Sequence, residues 1–377
     1  MYYWRLSGFY FFYFASLGAL IPYWGLYLKS LNFSVVEIGE LVAILMATKI
    51  IAPNVWAWIA DHSGRRMRIV QIACLLATLS FTGVFLVHGY WALALVITLF
   101  SFFWNAALPQ FEATTLNHLG DEAHRYSTVR LWGSIGFVVA VAVLGRVFET
   151  TGAGLLPTVL IVLFAGIWLA SLLVPEHAAV RSESDSQPLR AVLKRPEVLA
   201  LLLVCFLVQA SHGPYYTFYS LYLMEHGYSK TLIGQLWALG VVAEIIIFLK
   251  MHHWLPRFGV RRLLLAATLL TALRWGMVAL FVDQLSLLIV AQTLHAASFG
   301  LFHAVAIHLT HQLFTGRHQG RGQALYSSVS FGAGGAVGSL LAGYLWEGAG
   351  ARWMYVAAAL AALLASWVVW RNIEVRD

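Results

Sequence analysis

Charge is scarce in this sequence. Asp, Glu, Lys and Arg make up 11% of the 377 residues, where a soluble globular chain carries roughly a quarter. So few charges cannot cover a water-facing surface, which excludes a soluble enzyme, a secreted disulfide scaffold and a disordered tail. Cysteine is almost absent. Cys74 and Cys205 both lie in apolar runs and form neither a CxxC metal pair nor a disulfide framework. No P-loop, HExxH, GxSxG or glycine-rich dinucleotide signature occurs, so nothing calls for a cofactor, a metal or an enzymatic activity. The net charge of +7 is scattered in short clusters between apolar runs, which speaks for membrane topology and against a nucleic-acid partner. What the chain does have is apolar length: 60% of its residues are hydrophobic. At about 20 residues per spanning helix, twelve spans fit, with ~10 residues left for each connection.

Apolar runs predict an all-α polytopic membrane protein with twelve transmembrane helices. They cover residues 6–28, 38–60, 68–88, 91–119, 127–148, 154–174, 198–224, 231–254, 262–281, 285–313, 322–346 and 350–370. The first run is longer than the apolar core of a cleavable signal peptide. The longest polar stretch, 175–197, contains Arg181, Ser182, Glu183, Ser184, Asp185, Ser186, Arg190, Lys194 and Arg195 at the middle of the chain. It reads as a cytoplasmic linker between bundles of six helices at 1–174 and 198–377. With the amino terminus inside, seventeen Lys and Arg fall in inner loops and termini and four in outer ones (Lys29, Arg146, Lys230, Arg352). Both termini are therefore expected in the cytoplasm.

The halves repeat. Tyr27-Leu28, Phe33-Ser34, Ile38-Gly39 and Leu41 recur 195 residues later as Tyr222-Leu223, Tyr228-Ser229, Ile233-Gly234 and Leu236. Gly64 and Arg66 recur at the same offset as Gly259 and Arg261. Parallel six-helix repeats of this kind resemble the major facilitator fold, in which the solute site lies near midplane. A gene-duplicated channel would repeat as well.

Five charges sit well inside the predicted spans: Lys49, Glu112, Arg130, Glu244 and Arg274, with His212, His295 and His303 beside them. Each costs ~2.5–3.5 kcal/mol at the bilayer centre on insertion scales, so each needs a partner, water or a purpose. Their sum, +1 with both carboxylates ionised, suits an anionic solute; fixed structural ion pairs are the alternative. Lys49 and Glu244 are 195 apart, at equivalent repeat positions, and are read as a pair that forms in one state and separates in another. Glu244 is the first candidate to carry a proton and Glu112 the second. Glu112 and Arg130 fall at similar depth on successive antiparallel helices, where they would either bind solute or clamp the two helices together. Arg130 offers the planar fork that grips a carboxylate or hydroxyls. Trp24, Tyr27, Tyr215, Tyr216, Phe218, Tyr219 and Trp237 supply rings for an aromatic or sugar solute, or for lipid-facing packing. His308 and His311 have a metal-like spacing without a carboxylate or cysteine to join them.

Two resemblances follow from these residues. Trp104-Asn105-Ala106, Pro109 and Glu112-Ala113, followed by Arg130-Leu131-Trp132-Gly133-Ser134-Ile135-Gly136, resemble the sugar-binding fourth and fifth helices of the lactose permease type of oligosaccharide:proton symporter. Thr293-Leu294-His295 and Arg274 resemble its tenth-helix histidine and ninth-helix arginine. Ser298 stands where that family has a proton-handling glutamate, and Glu244 lies about one turn beyond its eighth-helix sugar-binding glutamate. A longer resemblance is to the 3-phenylpropionate permease family of proton symporters. It is carried by Pro22-Tyr23-Trp24 with Leu28-Lys29, Val129-Arg130-Leu131-Trp132-Gly133-Ser134, His212 with Tyr215-Tyr216, Leu239-Gly240-Val241-Val242-Ala243-Glu244, Arg274-Trp275-Gly276, and Leu294-His295 with His303. This resemblance implies uptake of an aromatic carboxylate together with protons across the bacterial cytoplasmic (inner) membrane.

The resulting expectation is a monomeric symporter in the lipid bilayer, powered by the proton gradient without a cofactor. Arg130, Glu112, Lys49, Arg274, Trp24, Tyr27, His212 and Tyr216 are its candidate solute contacts. Glu244, His295 and Glu112 are its candidates for proton coupling. The alternative within the class is a proton symporter for a sugar or nucleoside, with Glu112 and Arg130 on hydroxyls.

Overall fold

The computed structural model of the chain describes residues 2–176, 189–315 and 318–373. Twelve long helices fill the described residues, which hold no strand. They are α1 (Tyr3–Ser30), α2 (Val35–Ser63), α3 (Arg66–Phe81), α4 (Tyr90–Leu119), α5 (Tyr126–Thr151), α6 (Leu156–Leu172), α7 (Pro196–Glu225), α8 (Lys230–Phe258), α9 (Val260–Leu280), α10 (Leu285–Leu313), α11 (Gln319–Ala349) and α12 (Ala351–Asn372). Eleven are long and apolar enough to cross a membrane, and α2, at 29 residues, has the length as well. The chain is a multi-pass α-helical membrane protein, as its apolar runs predict. Two predicted spans are completed by 3₁₀ turns: α3 stops at Phe81 and is followed by Thr82–Phe85, and α6 is preceded by Ala153–Leu155. Of the expected linker, Arg181, Ser182, Glu183, Ser184, Asp185 and Ser186 lie outside the described residues, as do Arg317 and Arg376.

The repeated residues turn out to be helix punctuation. Ser34 caps α2: its hydroxyl accepts from the Glu37 N–H at 3.2 Å, while the Glu37 carboxylate accepts from the Ser34 N–H at 2.8 Å. Its repeat mate Ser229 accepts from the Leu232 N–H at 3.2 Å at the start of α8. Gly64 and Gly259 end the second helix of each half at φ of +64° and +73°, which a side chain would strain.

Two compact units form. One comprises Met1–Arg181 with Ser229–Ala238, the other Ser182–Tyr228 with Leu239–Asp377. The first residues of α8 thus pack with the first unit, whereas the sequence reading assigns all of 198–377 to the second. The reason is local. Gly145 and Gly234 let α5 and α8 approach closely, and the Glu149 carboxylate accepts from the Thr231 N–H at 3.1 Å in the first turn of α8. Tyr23 on α1 donates to the Val141 carbonyl at 2.6 Å beside the same crossing.

Each unit is built around its first helix. α1 packs on α5 and α6, and α7 packs on α11 and α12. Without a hydrophobic drive between helices in lipid, close backbone approach at small residues holds such contacts. Gly18 does this in α1, where an added Cβ would stand 2.7 Å from the Phe137 carbonyl oxygen. Gly213, 195 residues on, faces the backbone of Gly338 in α11, and a Cβ there would collide with the Gly338 carbonyl carbon. No flexible side chain can move away from either collision. Gly213→Val is therefore expected to destabilise the folded protein by about 3 kcal/mol. Gly276→Ala, which meets nothing within 4 Å, should stay within about 1 kcal/mol of the parent. Thermal melting of the two purified variants in one detergent checks the contrast.

Candidate functional site

Each unit carries its own cluster of polar groups inside the apolar bundle. In the first, the guanidinium of Arg130 of α5 lies over aromatic rings, its carbon 3.7 Å from the Phe14 centroid and 5.7 Å from that of Tyr10. Among the described residues Arg130 makes no hydrogen bond or ion pair. Glu112 of α4 accepts from the Tyr126 hydroxyl at 3.3 Å and is half-buried. Glu112 and Arg130 do fall in one neighbourhood and act on each other electrostatically, but no ion pair joins them. Rings surround them: Phe9 stacks on Phe111 with centroids 3.6 Å apart, and Tyr13 stacks on Trp104 at 5.2 Å.

Lys49 sits half-buried on α2 and has no hydrogen bond or ion pair among the described residues. Beside it, the Thr48 hydroxyl donates to the Leu45 carbonyl at 2.8 Å, accepts from Asn105 Nδ2 at 2.8 Å and lies 2.9 Å from the Ser101 hydroxyl. This bridge ties α2 to α4 while leaving the ammonium out of it. Trp24 and Tyr27 pack together, centroids 5.2 Å apart, and Trp24 also meets Phe81 at 6.0 Å. The indole N–H groups of Trp24 and Trp104 are buried without a hydrogen-bond partner among the described residues.

In the second unit, Arg274 of α9 is fully enclosed at 0% exposure. Its Nη1 donates to the Ser298 hydroxyl at 2.9 Å and to His295 Nδ1 at 3.0 Å. Its Nη2 donates to Gln292 Oε1 at 2.8 Å. The rings of Tyr215 and Trp275 lie 4.2 and 4.4 Å from its guanidinium carbon. An arginine cannot accept, so His295 Nδ1 must be the acceptor and the proton of the neutral ring sits on Nε2. That nitrogen is 3.6 Å from Glu244 Oε2 on α8, whose side chain is 14% exposed. Arginine, histidine and glutamate therefore form a chain across three helices, α9, α10 and α8.

The local helix geometry assists. His295 is followed by a π-helical stretch, Ala296–Leu301, and a second one, Ser328–Gly334, interrupts α11. Such wider turns occur at functional positions more often than elsewhere. The Phe299 ring stacks parallel to those of His295 and His303, at 5.5 and 5.7 Å. His303 Nδ1 lies 2.7 Å from the Tyr326 hydroxyl. His212 is enclosed between Tyr216, 5.7 Å away, and Trp275, 5.0 Å away. Its Nδ1 donates to the Val208 carbonyl at 2.8 Å, and its Nε2 is buried without a partner among the described residues. Tyr216 is half-buried.

Sequence reasoning named Arg130, Glu112, Lys49, Arg274, His295 and Glu244 by asking where charge and histidine fall in apolar spans. It missed Gln292, Ser298 as an arginine partner, Tyr126 and Phe14. Gln292 carried a signal: a polar residue one turn before His295 on the same helical face.

Twelve apolar helices, built as two halves that repeat each other and carry charges inside their spans, are the architecture of a solute transporter. Residues 3–357 match the MFS_1 like family, and the chain belongs to it: it is a major facilitator transporter and not an enzyme. It is 32% identical over 371 residues to the probable 3-phenylpropionic acid transporter of Escherichia coli (strain K12), with 94% of each chain covered. It is 28% identical over 349 residues to the maltose permease of Geobacillus stearothermophilus, covering 92% of this chain and 87% of that one. Its fold matches that of a variant of the nucleoside transporter NupG with a TM-score of 0.86, at 17% identity, covering 99% of this chain and 100% of that one.

Proposed function

We propose that the protein is a proton symporter that imports a small aromatic carboxylate of the 3-phenylpropionate type. The observation that carries this reading is Arg130, a guanidinium stacked on Phe14 at 3.7 Å and making no hydrogen bond among the described residues. A planar fork with open N–H groups amid rings is complementary to a carboxylate attached to a phenyl group. The 32% identical relative named for 3-phenylpropionic acid supports the same class. Lys49 adds a second cation that no anion pairs among the described residues. Arg274 is assigned elsewhere, because both N–H groups of Nη1 and one of Nη2 already serve His295, Ser298 and Gln292, and its Nε is sealed in the protein interior. It belongs to the coupling network, in which Glu244 takes up the proton beside His295. The surplus of Lys and Arg in alternate loops supports cytoplasmic termini in a bacterial inner membrane.

A neutral sugar or nucleoside is the second reading. Glu112, with one oxygen engaged by Tyr126, supports it as a hydroxyl acceptor, and the maltose permease relative points the same way. Uptake into proteoliposomes under an inward proton gradient separates the two. We expect labelled 3-phenylpropionate to enter faster than into protein-free liposomes and to lose that advantage with a protonophore. Accumulation of maltose or uridine in its place rejects the carboxylate reading. Saturation of the flux excludes a channel.

A further inference from the structure

We propose that Gln292 is a positioning residue. It holds Arg274 so that one guanidinium N–H is committed to His295 Nδ1, which leaves the imidazole proton on Nε2, the nitrogen facing Glu244. Gln292 is 1% exposed, and its Oε1 accepts from Arg274 Nη2 at 2.8 Å. Its own Nε2 donates to the Tyr215 hydroxyl at 3.4 Å, and the Tyr215 ring covers one side of the guanidinium at 4.2 Å. The amide is therefore fixed at both ends, and the guanidinium plane is fixed with it.

A guanidinium is rigid and planar, so fixing Nη2 determines where Nη1 points. Nη1 has two hydrogens, and two acceptors meet them: Ser298 Oγ and His295 Nδ1. A doubly protonated His295 would bring its own Nδ1–H against this donor. Charging the ring therefore requires Arg274 to let go, and Gln292 resists that movement. The other titratable groups around His295 are few. His212 and Tyr215 approach from α7, Glu244 from α8 and Arg274 from α9, while the backbone of Gly240 in α8 closes over the ring. Removing Gln292 takes away one fixed end of Arg274 and leaves a buried donor without an acceptor, which favours its reorientation.

The inference deepens the proposed role of Glu244 and rests on it for its transport consequence, but its geometry is tested without any solute. The chain labelled with ¹⁵N-histidine, reconstituted in liposomes, is titrated by solid-state NMR, with His295 assigned by difference from His295→Asn. We expect the Nε2–H tautomer in the parent and in Gln292→Glu, which keeps an acceptor on Nη2. In Gln292→Leu the doubly protonated ring should appear about one pH unit higher, a tenfold lower proton concentration. An Nδ1–H tautomer in the parent overturns the proposal, as does a Gln292→Leu titration that coincides with the parent's. If Gln292→Leu does not fold, loss of the Nε2–H tautomer in Gln292→Ala supports the proposal, and its retention there overturns it. Uptake by Glu244→Gln, measured in parallel, addresses the proton carrier separately: accumulation retained there rejects that role while leaving the tautomer result to stand.

Discussion

Glu244→Gln is expected to abolish uphill, proton-driven accumulation while leaving exchange of solute across the membrane measurable. The amide keeps the size of the side chain and a hydrogen-bonding oxygen but holds no titratable proton. A monocarboxylate entering with one proton moves no net charge, so the pH difference alone drives it. One pH unit is about 1.4 kcal/mol, which supports about tenfold accumulation. The variant should fall to a ratio of about one above the baseline of protein-free liposomes. That baseline is needed because neutral phenylpropionic acid crosses lipid unaided. Counterflow requires only that the loaded carrier reorients, and a permanently neutral side chain resembles the protonated carrier. Uptake of labelled 3-phenylpropionate, with and without a pH gradient, reads both quantities. Accumulation that survives in Glu244→Gln assigns the proton to another group, and Glu112 is the next to test. His295→Asn should give a milder defect, since it removes the N–H that faces Glu244 but not the carboxyl itself.

The fold was legible because membrane helices are written in composition. Eleven of the runs read from apolar length match a helix to within a few residues at each end, those at 285–313 and 322–346 with a π-helical stretch inside; the run at 68–88 needed a 3₁₀ turn to finish. The repeat was legible for a different reason. Ser34 and Ser229 cap helices, and Gly64 and Gly259 need a left-handed backbone, so chemistry and conformation limit which residues can stand there. Partnership was harder to see. From the sequence, Glu112 and Arg130 look like an ion pair at matching depth. In the structure the rotation of α5 on α1 puts Arg130 over Phe14, and Glu112 takes Tyr126 instead. That rotation depends on Gly18 and Gly136, whose missing side chains let the backbones approach, and on Gly133, which leaves room for the Phe14 ring and the Arg130 guanidinium. Likewise, Ser298 reads as the loss of an acid, yet it serves as an acceptor for Arg274. Charges locate a site in sequence, while the neutral groups that orient those charges emerge only once helix rotation is known.

Arg130→Gln should weaken 3-phenylpropionate binding by about 10- to 100-fold, the value of a charge-assisted hydrogen bond of ~1.5–3 kcal/mol. Arg130→Lys keeps the charge but not the planar fork or the stacking on Phe14, so it should restore only part of the affinity. Loss of structure is the competing explanation, because removing the guanidinium leaves Glu112 half-buried with less compensation nearby. The double variant Glu112→Gln, Arg130→Gln removes both charges and separates the two. If Arg130 binds the carboxylate, the double variant should recover the parent's melting temperature and still fail to bind. Recovery of binding together with stability would make the arginine a structural partner of Glu112 and leave Lys49 as the remaining cation for the carboxylate. A neutral analogue, 3-phenylpropanamide, sharpens the result. It presents the same ring without the charge, so Arg130→Gln should change its weak binding by less than about threefold, within ~0.6 kcal/mol. Calorimetric titration of parent and variants with acid and amide therefore reports on the charge itself, independently of packing around the ring.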